Sequence, residues 1–115
     1  MKRAVLFAFQ GDPMCFVHVL LNALDLHERG YEVKIVIEGQ ATKLIPGLAQ
    51  EGNPLHQLYR RAREKELIEG ACRACSMKMG TLEDVRAQGL ALLGEMSGHP
   101  PMGLYMDRGY RVIVF

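Results

Sequence analysis

Val5-Leu6-Phe7-Ala8-Phe9-Gln10-Gly11-Asp12-Pro13 decides the fold: an unbroken apolar run ends at a turn and a helix start. A continuous run of this length fits a strand buried on both faces. Asp12 can cap the helix, and Pro13 suits its first turn, where a missing N–H costs nothing. The helix is predicted over Pro13 to Arg29, with Gly30 as its left-handed stop. A second strand follows over Tyr31 to Ile37, where Val33, Ile35 and Ile37 alternate with Glu32, Lys34 and Val36.

The same alternation continues to the end of the chain. A short helical stretch is predicted near Ala41 to Gln50, then a break at Gly52-Asn53-Pro54 and a helix to Lys65 with Leu55, Leu58 and Tyr59 on one face. Glu66 to Ala71 reads as a third strand. Thr81-Leu82-Glu83-Asp84 has the form of a capping box, Thr81 bonding forward and Asp84 back, opening a short helix to Gly89. Ala91-Leu92-Leu93 is a weak fourth strand, Met102 to Arg108 a helix stopped by Gly109, and Tyr110 to Phe115 the last strand. Strand and helix alternating in this way call for an α/β domain, with a parallel sheet covered on both faces.

At 115 residues the chain has room for one domain, 1–115, and its 49% hydrophobic content can build a core without disulfide staples. The formal charge of +1, with acids and bases interspersed, offers no electrostatic surface for nucleic acid. The first apolar run is too short for a signal peptide or a membrane span. Three cysteines, an odd count with two closely spaced, argue against a secreted disulfide framework and for a reducing cytoplasm. No Gly-x-Gly-x-x-Gly, P-loop or Gly-x-Ser-x-Gly pattern supports nucleotide binding or serine hydrolysis. The first helix is apolar nearly all round, from Met14, Phe16 and Val17 to Leu24 and Leu26, so packing against another subunit is expected.

Chemistry concentrates at Cys72-Arg73-Ala74-Cys75, where the third strand gives way to a helix. Such a pair can hold a metal, cycle between dithiol and disulfide, or present one activated thiolate. Helix N–H groups, with Arg73 and Lys78 nearby, are expected to favour thiolate. Cys15 and His18 lie three apart on the first helical turn, at the same edge of the sheet, so Cys15, His18, Cys72 and Cys75 form an alternative zinc-ligand set. The commoner outcome for Cys15 and His18 is a plain packing role. Gln10, Gly11, Asp12 and Glu38, also at strand ends, can line a pocket, Asp12 more often as a cap alone. His99, before Pro100-Pro101, is either an acid–base group or structural.

Taken in order, these elements resemble the DsrE/DsrF-like proteins. The resemblance rests on the opening strand and long helix ending Glu28-Arg29-Gly30-Tyr31-Glu32-Val33, and on the cysteine after strand three with Lys78-Met79-Gly80 downstream. It is completed by the closing Gly103-Leu104-Tyr105-Met106-Asp107-Arg108-Gly109-Tyr110. It implies a three-layer α/β/α fold with a mainly parallel five-stranded sheet, assembled as a homo-oligomer, trimer or hexamer. It also implies a persulfide-carrying cysteine at Cys72, exchanging sulfur with donor and acceptor proteins. Cys75 has no counterpart in that pattern and is expected to resolve the persulfide. This reading requires no cofactor; one alternative is a module holding zinc or another thiophilic metal, and another is an oligomeric scaffold without catalytic activity whose cysteines are incidental.

Overall fold

A computed structural model describes residues 1–115. Five strands form one all-parallel sheet: β1 (Arg3–Ala8), β2 (Glu32–Ile37), β3 (Ile68–Cys72), β4 (Leu92–Leu93) and β5 (Arg111–Val114), in the spatial order β4-β3-β2-β1-β5. The helices are α1 (Pro13–Glu28), α2 (Ile45–Leu48), α3 (His56–Glu64), α4 (Arg73–Lys78), α5 (Leu82–Ala87) and α6 (Met102–Asp107). The segment expected as one helix from Ala41 to Gln50 is instead a 3-10 turn, Gly39–Leu44, running into α2. Pro46 explains the division: it has no N–H to donate and sits at the start of α2.

The strand order determines how the two faces are covered. β1 to β4 step in one direction across the sheet, so right-handed crossovers leave their helices on one face. The return from β4 to β5 runs the other way and sends α6 to the opposite face. The core is correspondingly uneven. Nineteen buried residues, among them Leu6, Phe16, Leu20, Ile35, Tyr59 and Val85, pack on the first face, and five, Val5, Phe7, Val36, Tyr105 and Tyr110, on the second. Neighbouring residues of β1 divide between these clusters, as strand pleating requires.

Local signals explain the boundaries of α1. The Asp12 carboxylate accepts the Met14 N–H at 2.9 Å, and Gly30 has φ 91°, a conformation that ends the helix without the cost of a Cβ. Phe16, Val19, Leu20, Ala23 and Leu24 are buried, whereas Met14 and Leu21 stay exposed. The capping box at Thr81 does not form. Thr81 has φ −115° and ψ 12°, its side chain makes no capping bond, and its buried Oγ1 has no partner. No helix is long and apolar enough to cross a membrane.

Candidate metal centre

Three strand ends converge on one point. β2 runs out at Ile37 and places Glu38 there, with its side chain 7% exposed. β3 ends at Cys72, which is fully buried and doubles as the N-cap of α4; Cys75 follows in the first turn, half-buried. Beyond β4 a tight loop brings in His99. Gly98 (φ 91°) and Ser97 (φ 52°) turn the chain, Met96 and His99 exchange backbone hydrogen bonds, and Gly98 O accepts the Ala74 N–H at 2.9 Å. The proline after His99 biases it toward extended backbone.

Glu38, Cys72, Cys75 and His99 form a compact group whose ligand atoms all lie within 4.8 Å of one another. His99 Nδ1 is 3.1 Å from Cys72 Sγ, 3.7 Å from Cys75 Sγ and 3.9 Å from Glu38 Oε1. Around a tetrahedral zinc with bonds of about 2.0–2.3 Å, ligand atoms stand roughly 3.4–3.8 Å apart. Of the nitrogen–sulfur distances, that to Cys75 falls within this range and that to Cys72 is about 0.3 Å short of it, while the carboxylate lies just beyond. Two thiols, an imidazole and a carboxylate are also a donor set that suits zinc.

Burial dominates the electrostatics of the group. Burial pushes the Glu38 carboxyl above its usual range, opposed by the Cys72 thiol and by His99, its one ion-pair neighbour. The Cys72 thiol is pushed up to about 12, chiefly by burial, then by the adjacent Cys75 and Glu38; the Cys75 N–H, 3.4 Å from its sulfur, works in the opposite direction. The thiolate-favouring surroundings expected from Arg73 and Lys78 are therefore absent around Cys72. Both of those side chains are exposed, and Arg73 leans on the loop at Gly94 instead. Buried acids without a positive partner are costly, and a metal ion reverses that balance.

The four-residue group shares Cys72 and Cys75 with the set expected from sequence but replaces Cys15 and His18 by Glu38 and His99. Cys15 and His18 sit exposed on α1, whose buried face is carried by Phe16, Val19 and Leu20 instead. Asp12 serves as the cap of α1. A cleft of about 450 Å³ opens beside the group, and Glu38 and His99 form part of its wall.

No family model matches the chain. It is 33% identical over 104 residues to the uncharacterized protein MJ0733 of Methanocaldococcus jannaschii, an alignment spanning 90% of this chain and 83% of that one. It is also 42% identical over 59 residues to an uncharacterized protein of Archaeoglobus fulgidus, covering 51% of this chain and 95% of the relative.

Proposed function

The chain belongs to the family of MJ0733, and we propose that it is a metal-binding module whose centre, formed by Glu38, Cys72, Cys75 and His99, takes zinc or a similar thiophilic divalent ion. The observation that carries this reading is the convergence of four donors of three kinds, from three strand ends, within 4.8 Å, with no lysine or arginine among them. A divalent ion supplies the charge that the buried Glu38 and the two thiols lack, and it binds the thiols as thiolates. The test is elemental analysis of the purified chain beside Cys72→Ser, Cys75→Ser and His99→Ala variants. One equivalent of metal in wild type and loss in the variants is expected; metal-free wild type that takes up no added zinc would end the proposal.

A second reading keeps the sulfur chemistry of the DsrE/DsrF resemblance. Cys72 would attack a donor persulfide, taking its outer sulfur as Cys72–S–SH and releasing the donor thiol. Cys75 would then attack the inner sulfur, closing a Cys72–Cys75 disulfide and expelling hydrogen sulfide. The observation favouring it is that His99 Nδ1 stands near both sulfurs, 3.1 and 3.7 Å away, where it can take or return the proton. Mass spectrometry of the intact chain after exposure to a persulfide donor separates the readings. An added sulfur on Cys72 supports the carrier, and its absence removes it.

A further inference from the structure

We infer that the cleft beside the centre is its ligand chamber, and that it takes a small uncharged molecule with one neutral nitrogen or oxygen donor on an apolar body. The inference rests on the metal-centre reading and adds the ligand to it.

The cleft holds about 450 Å³, within the range of small-molecule sites. Of the four candidate ligands only Glu38 and His99 reach its wall, so Cys72 and Cys75 grip an ion from the protein side, and a donor from the cleft joins as a fifth ligand or takes the place of Glu38, the ligand set farthest from His99. The rest of the wall is apolar, built from Phe9, Met96, Pro100 and Met102, which fits an aliphatic or aromatic body.

Charge sets the head group. No lysine or arginine lines the cleft, and the Glu38 carboxylate does. Two thiolates and a carboxylate together exceed the charge of a divalent ion, so the loaded centre repels a further anion. Carboxylate and phosphate ligands are disfavoured twice over, by the centre and by the lack of a counter-charge on the wall. An uncharged nitrogen or oxygen donor meets neither obstacle, and zinc-type ions accept both.

The test uses the full chain loaded with cobalt(II), whose visible absorption reports its ligands. Two probes share one donor: 4-phenylimidazole, which is neutral, and imidazole-4-carboxylate, which is not. Gly103 also borders the cleft, and a Cβ built there meets nothing within 4 Å, so the position accepts a side chain and Gly103→Leu adds bulk at the cleft's edge. The expected result is a saturable change in the cobalt bands with 4-phenylimidazole, about tenfold weaker or more with the carboxylate probe and in Gly103→Leu. Equal response to the two probes, or no response from a cobalt-loaded chain, overturns the inference and leaves the metal centre standing. Cobalt bands missing before any probe is added overturn both. If circular dichroism shows that Gly103→Leu does not fold, Met102→Lys decides: a cation on the wall should admit the carboxylate probe, and unchanged rejection overturns the inference.

Discussion

His99 Nδ1 stands 3.1 Å from Cys72 Sγ although 27 residues separate them in sequence. The contact ties the loop after β4 to the end of β3, and it depends on both partners being held from behind. Ser76 Oγ donates to Cys72 O at 2.7 Å, and Met96 N donates to His99 O at 2.8 Å. Rigid support of this kind is what a preorganised ligand set needs.

Substitution should separate the four converging residues from the two exposed ones. Cys72→Ser and His99→Ala are expected to abolish stoichiometric metal. Glu38→Gln, which replaces a charged ligand oxygen by a neutral amide oxygen, should weaken binding without abolishing it, since Glu38 is the ligand set farthest from His99. Cys15→Ser and His18→Ala should leave both stoichiometry and affinity unchanged. Competition titration against a chromophoric chelator reads all five, and a loss in Cys15→Ser comparable to that in Cys72→Ser would contradict the assignment.

Gly98 is where the loop is most constrained. It has φ 91°, and a Cβ there would lie 3.1 Å from the Ala74 Cβ. Gly98→Ala is therefore expected to cost about 1–2 kcal/mol in stability from the left-handed backbone alone. Because Gly98 O receives the Ala74 N–H and lies 3.6 Å from Cys72 Sγ, the same change should displace His99 and lower metal affinity. Chemical denaturation and metal titration of one preparation check both, and unaltered affinity in a destabilised chain would detach the loop from the centre.

The parallel α/β architecture was legible because its signals are local: apolar runs, the Asp12-Pro13 start and the glycine stop at Gly30 each act within a few residues. Cys72 and Cys75 were legible as the leading candidates for the same reason, lying three apart in sequence at a strand end. Their partners were not. Glu38 at a strand end and His99 in a loop were visible only as minor candidates, and nothing local shows that β2 and β3 are neighbours or that the Met96–His99 loop folds back over Ala74. Cys15 and His18 were attractive because an i, i+3 spacing puts them on one helix face. The rotation of α1, set by burial of Phe16, Val19 and Leu20, leaves both exposed.

Two helix starts that read alike in sequence should respond oppositely. Asp12→Ala removes the bond to Met14 N and is expected to cost about 1 kcal/mol without touching the metal centre. Thr81→Val replaces a buried hydroxyl that has no partner by a methyl group of similar size, so it should be neutral or stabilising. Thermal unfolding of the two variants measures the contrast. A marked loss in Thr81→Val would mean that its hydroxyl has a partner after all.

The pH dependence of stability should reverse when metal is removed. In the metal-free chain the Cys72 thiol rises from 9.0 to about 12, burial first among the causes, and the Tyr110 phenol from 10.0 to about 12 through burial and its bond to Glu32. Both groups are neutral when protonated, and the fold holds their protons more tightly than the unfolded chain does. Their contribution is thus complete below the unfolded values and is lost as pH rises from about 9 toward 12. The raised Glu38 carboxyl acts with the same sign above 4.5. Metal loading changes the slope, because the ion binds thiolates and competes with protons: its affinity, and the stability it adds, grow with pH until the thiol protons are fully displaced. Melting temperature across a pH series should therefore fall toward alkali in a chelated sample while the zinc-loaded sample gains over it from acid to neutral. Two curves that run parallel would mean that Cys72 keeps its proton in the loaded protein, and thiolate ligation would be untenable.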